Sequence, residues 1–278
     1  MEQLEPFSIL MSAYRGTHIE EIRQCFASIL EQSVLPGEIV IVFDGPVHDD
    51  VAGYVKSAHG IKVKTLPRDR HKGLGISLRE GLEQCGSDLV ARMDTDDVCV
   101  PERFRAQTEF LKEHQEVSVV GGLLLEHHMQ AGTNVSVTRH MPCETSALRV
   151  SAKLRNPINH QTAMFRKKDV LSVGSYVDFP WFEDYHLWAR MLVRGYGFAN
   201  LDRVLVETDV DTSYFERRGG AAYLRQEIKL ARDFKAMGFH NGIDTGKFVL
   251  SRVVFRIVPA SMRAHLYRGM LRRDGNSQ

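Results

Sequence analysis

An α/β fold with a mostly parallel, three-layer sheet is the class that this sequence predicts, and three observations predict it. Strand-like runs and helical periodicities alternate four times within the first 125 residues. The strand runs are nearly continuous in apolar, β-branched residues, as strands covered on both faces are. Several of them end on acidic or basic residues, at the sheet edge where open α/β sheets bind ligands.

The elements follow in order. Phe7 to Ala13 is an apolar run broken by Tyr14-Arg15-Gly16. Thr17-x-x-Glu20 then reads as a capping box, and Ile22, Phe26, Ile29 and Leu30 mark the inner face of a helix. A second strand is the run Glu38 to Gly45, which places Asp44 at a strand's carboxyl end, and a third spans Ile61 to Leu66. The loop Pro67 to Gly73 is polar and basic, and Leu74, Leu78, Leu82 and Cys85 follow it at helical spacing. That places Lys72 and Gly73 at a helix amino terminus, where N–H groups and the dipole favour a phosphate. Asp88 to Ala91 is the fourth strand. Pro101 is expected to open a helix through about His114, and Val117 to Leu125 gives a further strand.

Beyond residue 126 the alternation weakens. His127 to Ala147 is polar and reads as irregular, and Asn156 to Arg166 reads as a loop entering a strand. Trp181-Phe182-Glu183-Asp184 opens a helix with Tyr185, Trp188, Met191 and Leu192 inward, stopped by Gly195. A last helical region carries Tyr223, Leu230, Phe234 and Met237, stopped by Gly238, so the chain ends in a helical extension.

Composition bounds the function. Lys+Arg 36 against Asp+Glu 35 leaves +1 over 278 residues, so no global field argues for nucleic acid. Charge is uneven, however: Lys247, Arg252, Arg256, Arg263, Arg268, Arg272 and Arg273 fall in a stretch free of acidic residues, with Met262, Leu266 and Met270 among them at helical spacing. The cysteines Cys25, Cys85, Cys99 and Cys143 lack metal or redox spacing and read as reduced thiols. The acidic amino terminus does not resemble a signal peptide, and no apolar run reaches membrane-span length, so the expected compartment is the cytosol.

The chemistry concentrates in Arg92-Met93-Asp94-Thr95-Asp96-Asp97. Three carboxylates this close repel one another, which raises their pKa values or demands a cation, and hard oxygen ligands suit Mg²⁺ or Mn²⁺. A helix cap needs one acid and not three. An EF-hand fails, because its sixth and twelfth positions are Cys99 and Arg105, and a Walker A motif fails at Phe248. Glu183 and Asp184 compensate a helix dipole whether or not they do chemistry, and His160 alone is as readily a hydrogen-bonded loop histidine.

Together these residues resemble family 2 glycosyltransferases with the nucleotide-sugar-binding fold called GT-A, in particular bacterial members that build surface polysaccharides. The matching pieces are Ser8 to Tyr14, Ile39 to Gly45, Lys72-Gly73-Leu74-Gly75, Ala91 to Asp97, Asn159-His160 and Glu183-Asp184-Tyr185-x-Leu187-Trp188, in family order over roughly residues 7 to 195. The resemblance implies a donor-binding half (1–125), an acceptor-binding and catalytic half (126–212) and a basic helical extension (213–278). It places Tyr14, Asp44, Lys72, Gly73, Arg92, Asp94 and Asp96 on the nucleotide-sugar donor, UDP favoured, with Asp96 holding Mn²⁺ or Mg²⁺. Asp184 becomes the general base of an inverting transfer of one sugar, and His160, Trp181 and Glu183 lie on the acceptor side. The implied acceptor is a saccharide, lipid-linked. The basic tail reads either as a helix packed on the domain with solvated arginines or as a segment touching anionic lipid on the inner face of the cytoplasmic membrane. His71, Ser77 and Arg79 depart from the family's usual residues, and the Gln-x-x-Arg-Trp motif of processive synthases is missing. A sugar-phosphate nucleotidyltransferase and a non-catalytic nucleotide-binding module are the competing readings.

Overall fold

The structure, a computed structural model, describes residues 5–57, 60–130, 133–210 and 220–257. Its strands are β1 (Phe7–Ala13), β2 (Glu38–Phe43), β3 (Val63–Pro67), β4 (Leu89–Arg92), β5 (Asp97–Cys99), β6 (Val117–Gln130), β7 (Thr133–Arg139), β8 (Met164–Arg166) and β9 (Gly197–Val210). Its helices are α1 (Ile19–Leu30), α2 (Asp49–Lys56), α3 (Leu74–Gln84), α4 (Arg103–Glu113), α5 (Thr145–Ser151), α6 (Lys167–Ser172), α7 (Glu183–Val193), α8 (Gly220–Ala236) and α9 (Gly242–Ile257). The strands form one sheet in the order β3-β2-β1-β4-β8-β6-β9-β5, with β7 on β6.

The first four strands are parallel throughout. Antiparallel β8 then joins β4 to β6, and β9 runs parallel to β6. Alternation along β1 divides the core between the two faces of the sheet. Ile9, Met11 and Ala13 pack with Ile22 and Phe26 of α1, Val51 of α2 and Phe104 of α4. Leu10, Val40 and Val90 pack with Leu78 and Leu82 of α3, Trp188 of α7, Phe234 of α8 and Phe248 of α9. Helices on both faces complete three layers, and α8 and α9 share the second core with α7. Each fully buried Val, Leu, Ile, Phe or Met side chain among them contributes about 1.5–3 kcal/mol. The four cysteines are free thiols.

Several local expectations are corrected. α1 starts one residue later than the Thr17 capping box implies: Glu21 accepts from the His18 N–H at 3.3 Å, while Thr17 Oγ1 accepts from the Tyr14 N–H at 3.1 Å. α4 opens at Arg103 and not at Pro101, after Glu102 takes a left-handed φ of 67°. The 127–147 segment is not irregular. β6 continues to Gln130 and pairs with β7 in a hairpin, and α5 follows. Polar residues line this half-exposed hairpin, so its alternation is masked. α2, β5 and β9 answer to no expected element. The boundary expected at residue 125 falls inside β6. In the extension, α8 ends just before Gly238, whose φ is +77°. Residues 211–219 and 258–278, with Arg217, Arg218 and most of the basic tail, lie outside the described residues.

Candidate active site

Central strand β4 ends on Arg92, and five residues later, at Asp97, β5 begins antiparallel to β9, with Asp97 opposite Thr208. This tight return gathers the acidic run: carboxylate oxygens of Asp94, Asp96 and Asp97 lie within 4.8 Å of one another. Arg92, 2% exposed, ion-pairs with Asp94 from below. Arg103, also buried, donates from Nη2 to the Arg92 carbonyl at 2.8 Å and so fixes the strand end. Asp97 is 1% exposed, and its Oδ2 has no hydrogen-bond partner among the described residues. Burial first, and then the charges of Asp94 and Asp96, push its carboxyl well above the usual range. The Asp96 carboxyl reaches solvent, yet the protein crowding it and the neighbouring Asp94 push it up to about 6. Three hard oxygen donors, one of them orphaned, suit a divalent cation such as Mg²⁺ or Mn²⁺.

The donor-side residues meet at the ends of β1 and β2. Tyr14 is 43% exposed just past β1. Asp44, 3% exposed, is saturated: Oδ1 accepts from the Lys72 N–H (2.8 Å) and Arg68 Nη1 (3.0 Å), and Oδ2 from the Gly73 N–H (2.9 Å) and His71 Nδ1 (2.8 Å). One carboxylate thus moulds the whole 68–73 loop. Gly73, at φ +96°, turns the chain into α3. The Lys72 ammonium lies 3.6 Å from Glu80, which also holds Arg68 at 2.7 Å.

A second wall of the site is the first turn of α7. Glu183 and Asp184 are each 8% exposed. Asp184 Oδ1 accepts from the Tyr185 N–H at 2.7 Å, and Oδ2 accepts from Asn156 Nδ2. Burial and the adjacent Asp184 push Glu183 up to about 8. Gly75 brings this wall to the donor loop, since a Cβ there would stand 2.2 Å from the Val177 carbonyl and 3.1 Å from Glu183 Cβ. Only glycine permits so close a docking of α3. His160 is buried, its Nε2 lies 3.0 Å from Tyr176 Oη, and burial and Arg92 hold it well below its usual pKa, as a neutral group in the wall. Trp181 is 45% exposed.

Sequence reasoning missed Arg68, Arg103, Asn156 and Tyr176. Asn156-Pro157 reads as a turn, and nothing local says that its amide reaches Asp184. Arg68 stood in plain view within the basic loop, but its partner Asp44 lies 24 residues away.

The family model for glycosyl transferase family 2 matches residues 8–174. The chain is 34% identical over 265 residues to the amylovoran biosynthesis glycosyltransferase AmsE of Erwinia amylovora, covering 94% of this chain and 97% of the relative. It is 30% identical over 268 residues to an Escherichia coli UDP-Gal:alpha-D-GlcNAc-diphosphoundecaprenol beta-1,3-galactosyltransferase, covering 96% and 97%. Among solved structures, the mannosyltransferase PcManGT from Pyrobaculum calidifontis in complex with GDP-Man and Mn²⁺ superposes with a TM-score of 0.64 at 14% identity, over 90% of this chain and 69% of that one. S. aureus TarS 1-349 in complex with UDP-GlcNAc gives 0.60 at 16% identity, over 82% and 66%. The fold is GT-A. The chain belongs to glycosyl transferase family 2 and is a glycosyltransferase of the bacterial surface-polysaccharide type.

Proposed function

We propose that the protein transfers a single sugar, with inversion and with a divalent metal, from a nucleotide-diphosphate donor to a lipid-linked saccharide in surface-polysaccharide synthesis. The observation that carries this reading is the nearness of two acidic groups: Asp94, Asp96 and Asp97 lie within 4.8 Å of one another, and the Glu183-Asp184 turn, docked on the start of α3 at Gly75, is close enough for the charges of Arg92 and Asp94 to act on Glu183. UDP is the favoured nucleotide, in keeping with the UDP-Gal donor named for the Escherichia coli relative. That relative's acceptor, a sugar on diphosphoundecaprenol, supports a lipid-linked acceptor here.

Tyr14 and Asp44 hold the nucleoside, and the imide N–H of the base takes the place of His71 on Asp44 Oδ2. Lys72 and the α3 amino terminus at Gly73 face the diphosphate. Asp94, paired to Arg92, meets the ribose side, and Asp96 with Asp97 holds the metal. When bound, the metal supplies positive charge to the departing nucleoside diphosphate. Asp184, oriented by Asn156, takes the proton from an acceptor hydroxyl as that oxygen bonds to the anomeric carbon and the carbon–oxygen bond to the diphosphate breaks. Attack opposite the leaving group inverts the anomeric centre. A protonated Glu183 leaves the negative charge of the pair on Asp184, where the base needs it.

No helix among the described residues is long and apolar enough to cross a membrane. A cytosolic protein touching anionic lipid through its basic carboxy-terminal segment fits a lipid-linked acceptor. In that segment Arg252 is committed elsewhere, donating to the Leu154 carbonyl at 2.5 Å. The decisive experiment is calorimetric binding of UDP, GDP and dTDP with and without Mn²⁺, to wild type and Asp96→Ala. Metal-dependent binding of one nucleotide, lost in the variant, is the expected result; no binding by folded wild type overturns the reading.

A further inference from the structure

We infer that the indole of Trp181 is a stacking platform for a pyranose ring of the acceptor, a subsite that rests on the transferase reading above. The chain has two tryptophans with opposite fates: Trp188 is fully buried in the core, whereas Trp181 keeps 45% of its surface in solvent. Its backbone is equally unusual. Trp181 sits at φ +67°, a left-handed conformation that bulky side chains adopt only where the surroundings impose it, and such residues cluster at binding and catalytic sites.

The surroundings here are aromatic. Tyr223 of α8 lies 5.3 Å from the Trp181 ring and 5.0 Å from Phe182, centroid to centroid, so one side of the indole is braced while much of its surface stays open. Core packing explains Tyr223 and Phe182, both buried, but not a strained and half-exposed tryptophan beside them.

Position supplies the ligand class. Asp184 lies three positions after Trp181, which bounds their Cα atoms to roughly 10 Å. A pyranose ring is about half that span, so a sugar on the indole can present a hydroxyl to the carboxylate. The donor residues Asp44, Lys72 and Asp94 come from the segments that end β2, precede α3 and follow β4, and not from the Trp181–Asp184 segment or α8, which leaves this side to the acceptor. The chemistry matches: the axial C–H face of a pyranose is apolar and slightly positive, and the indole face is apolar and negative.

The test uses Trp181→Phe, which keeps a π face, and Trp181→Leu, which keeps apolar bulk without one. Acceptor probes are decyl diphosphates of α-GlcNAc, α-GalNAc, α-glucose and α-galactose, with UDP-sugar donors and Mn²⁺. Phe is expected to raise the acceptor KM by no more than about threefold and Leu by about tenfold, with kcat and donor KM within about twofold of wild type. Acceptor added to the UDP–Mn²⁺ complex is expected to shift tryptophan emission in wild type and not in Trp181→Phe, where Trp188 is the remaining fluorophore. Equal kinetics for Leu and Phe, an equal emission shift in both proteins, or losses that track melting temperature in every parameter would overturn the platform and leave the transferase intact. UDP binding by a wild type that accepts none of the four probes refutes the lipid-linked acceptor and the platform with it. Failure of wild type to bind any nucleotide refutes the transferase reading itself.

Discussion

Replacing Glu183 by glutamine is expected to stabilise this protein and to flatten the dependence of its stability on pH. The Glu183 carboxyl is 8% exposed, lies next to Asp184, and is pushed from an ordinary 4.5 to about 8 by burial first and by Asp184 second. A carboxyl whose folded pKa is raised holds a proton that the unfolded chain has released. Its contribution is therefore fully present below about pH 4.5 and is lost as pH rises towards 8. At one pKa unit per 1.4 kcal/mol, the loss amounts to about 3 kcal/mol by pH 7 and about 5 kcal/mol as an upper bound by pH 8. Glutamine has the same shape as the protonated acid and cannot ionise, so it removes this loss. For a chain of this size 3 kcal/mol corresponds to about 6–10 °C in melting temperature.

The assay is thermal unfolding of both proteins from pH 5 to 8 in a chelator, so that metal does not mask the carboxyls. Asp96 and Asp97 are raised too and add slope to both curves, and only the difference between the curves reports on Glu183. Removing the Asp184 charge relieves its repulsion of Glu183, so Asp184→Asn is also expected to stabilise. Catalysis separates them: Glu183→Gln retains transfer, whereas Asp184→Asn loses about 10²–10⁴-fold. A Glu183→Gln protein no more stable than wild type at pH 8 would refute the electrostatic account, and transfer surviving in Asp184→Asn would refute the assignment of the base.

The other predictions are simpler to check. Mn²⁺ should raise the melting temperature at pH 7.5 by scanning fluorimetry and much less at pH 5, because Asp96, pushed up to about 6, is then protonated; Asp96→Ala should lose the effect. Gly75→Ala places a methyl 2.2 Å from the Val177 carbonyl and should cost about 1–3 kcal/mol in urea unfolding, with weaker donor binding as the walls part. Asn156→Ala should lower kcat by about tenfold or more, because the base loses its orienting donor, while calorimetric UDP binding stays unchanged. His71→Ala frees Asp44 Oδ2 from a 2.8 Å partner and should tighten UDP binding about fivefold, the worth of a hydrogen bond of about 1 kcal/mol.

What the sequence disclosed depended on how local the determinants were. Strands β1, β2 and β4 are buried on both faces and appear as unbroken apolar runs, so their ends, and with them Asp44 and the acidic run, were placed within a residue or so. α7 was legible from Tyr185, Trp188, Met191 and Leu192, with its stop at Gly195, φ +87°. The β6–β7 hairpin and the outer half of β9 carry side chains to both core and solvent, and their mixed polarity hid them. Partnerships across the fold were hidden for another reason. Asn156 with Asp184, Arg103 with the Arg92 carbonyl, and Tyr176 with His160 are set by tertiary approach, which no spacing rule encodes. Gly75 is the sharpest case: its helix was predicted, but its necessity lies in a carbonyl about a hundred residues later.

Two acidic positions at strand ends, alike in sequence, end in opposite electrostatic states. Asp44 is surrounded by four donors, which fill its lone-pair sites, so it builds a loop and admits a new partner only by giving one up. For the three carboxylates of Asp94, Asp96 and Asp97 the described residues supply one paired cation, Arg92, and leave one buried oxygen without a partner. When all three are ionised, that arithmetic leaves a deficit of two charges. A single divalent ion meets it, and once the deficit is met the ion's outward face is free for the oxygens of a diphosphate. Protons fill the deficit instead when metal is absent: burial first, and the neighbouring carboxylates second, push Asp96 and Asp97 upward. Nucleotide recognition at the saturated site and leaving-group stabilisation at the deficient one therefore call for separate measurements: the first should respond to His71, and the second to metal and pH.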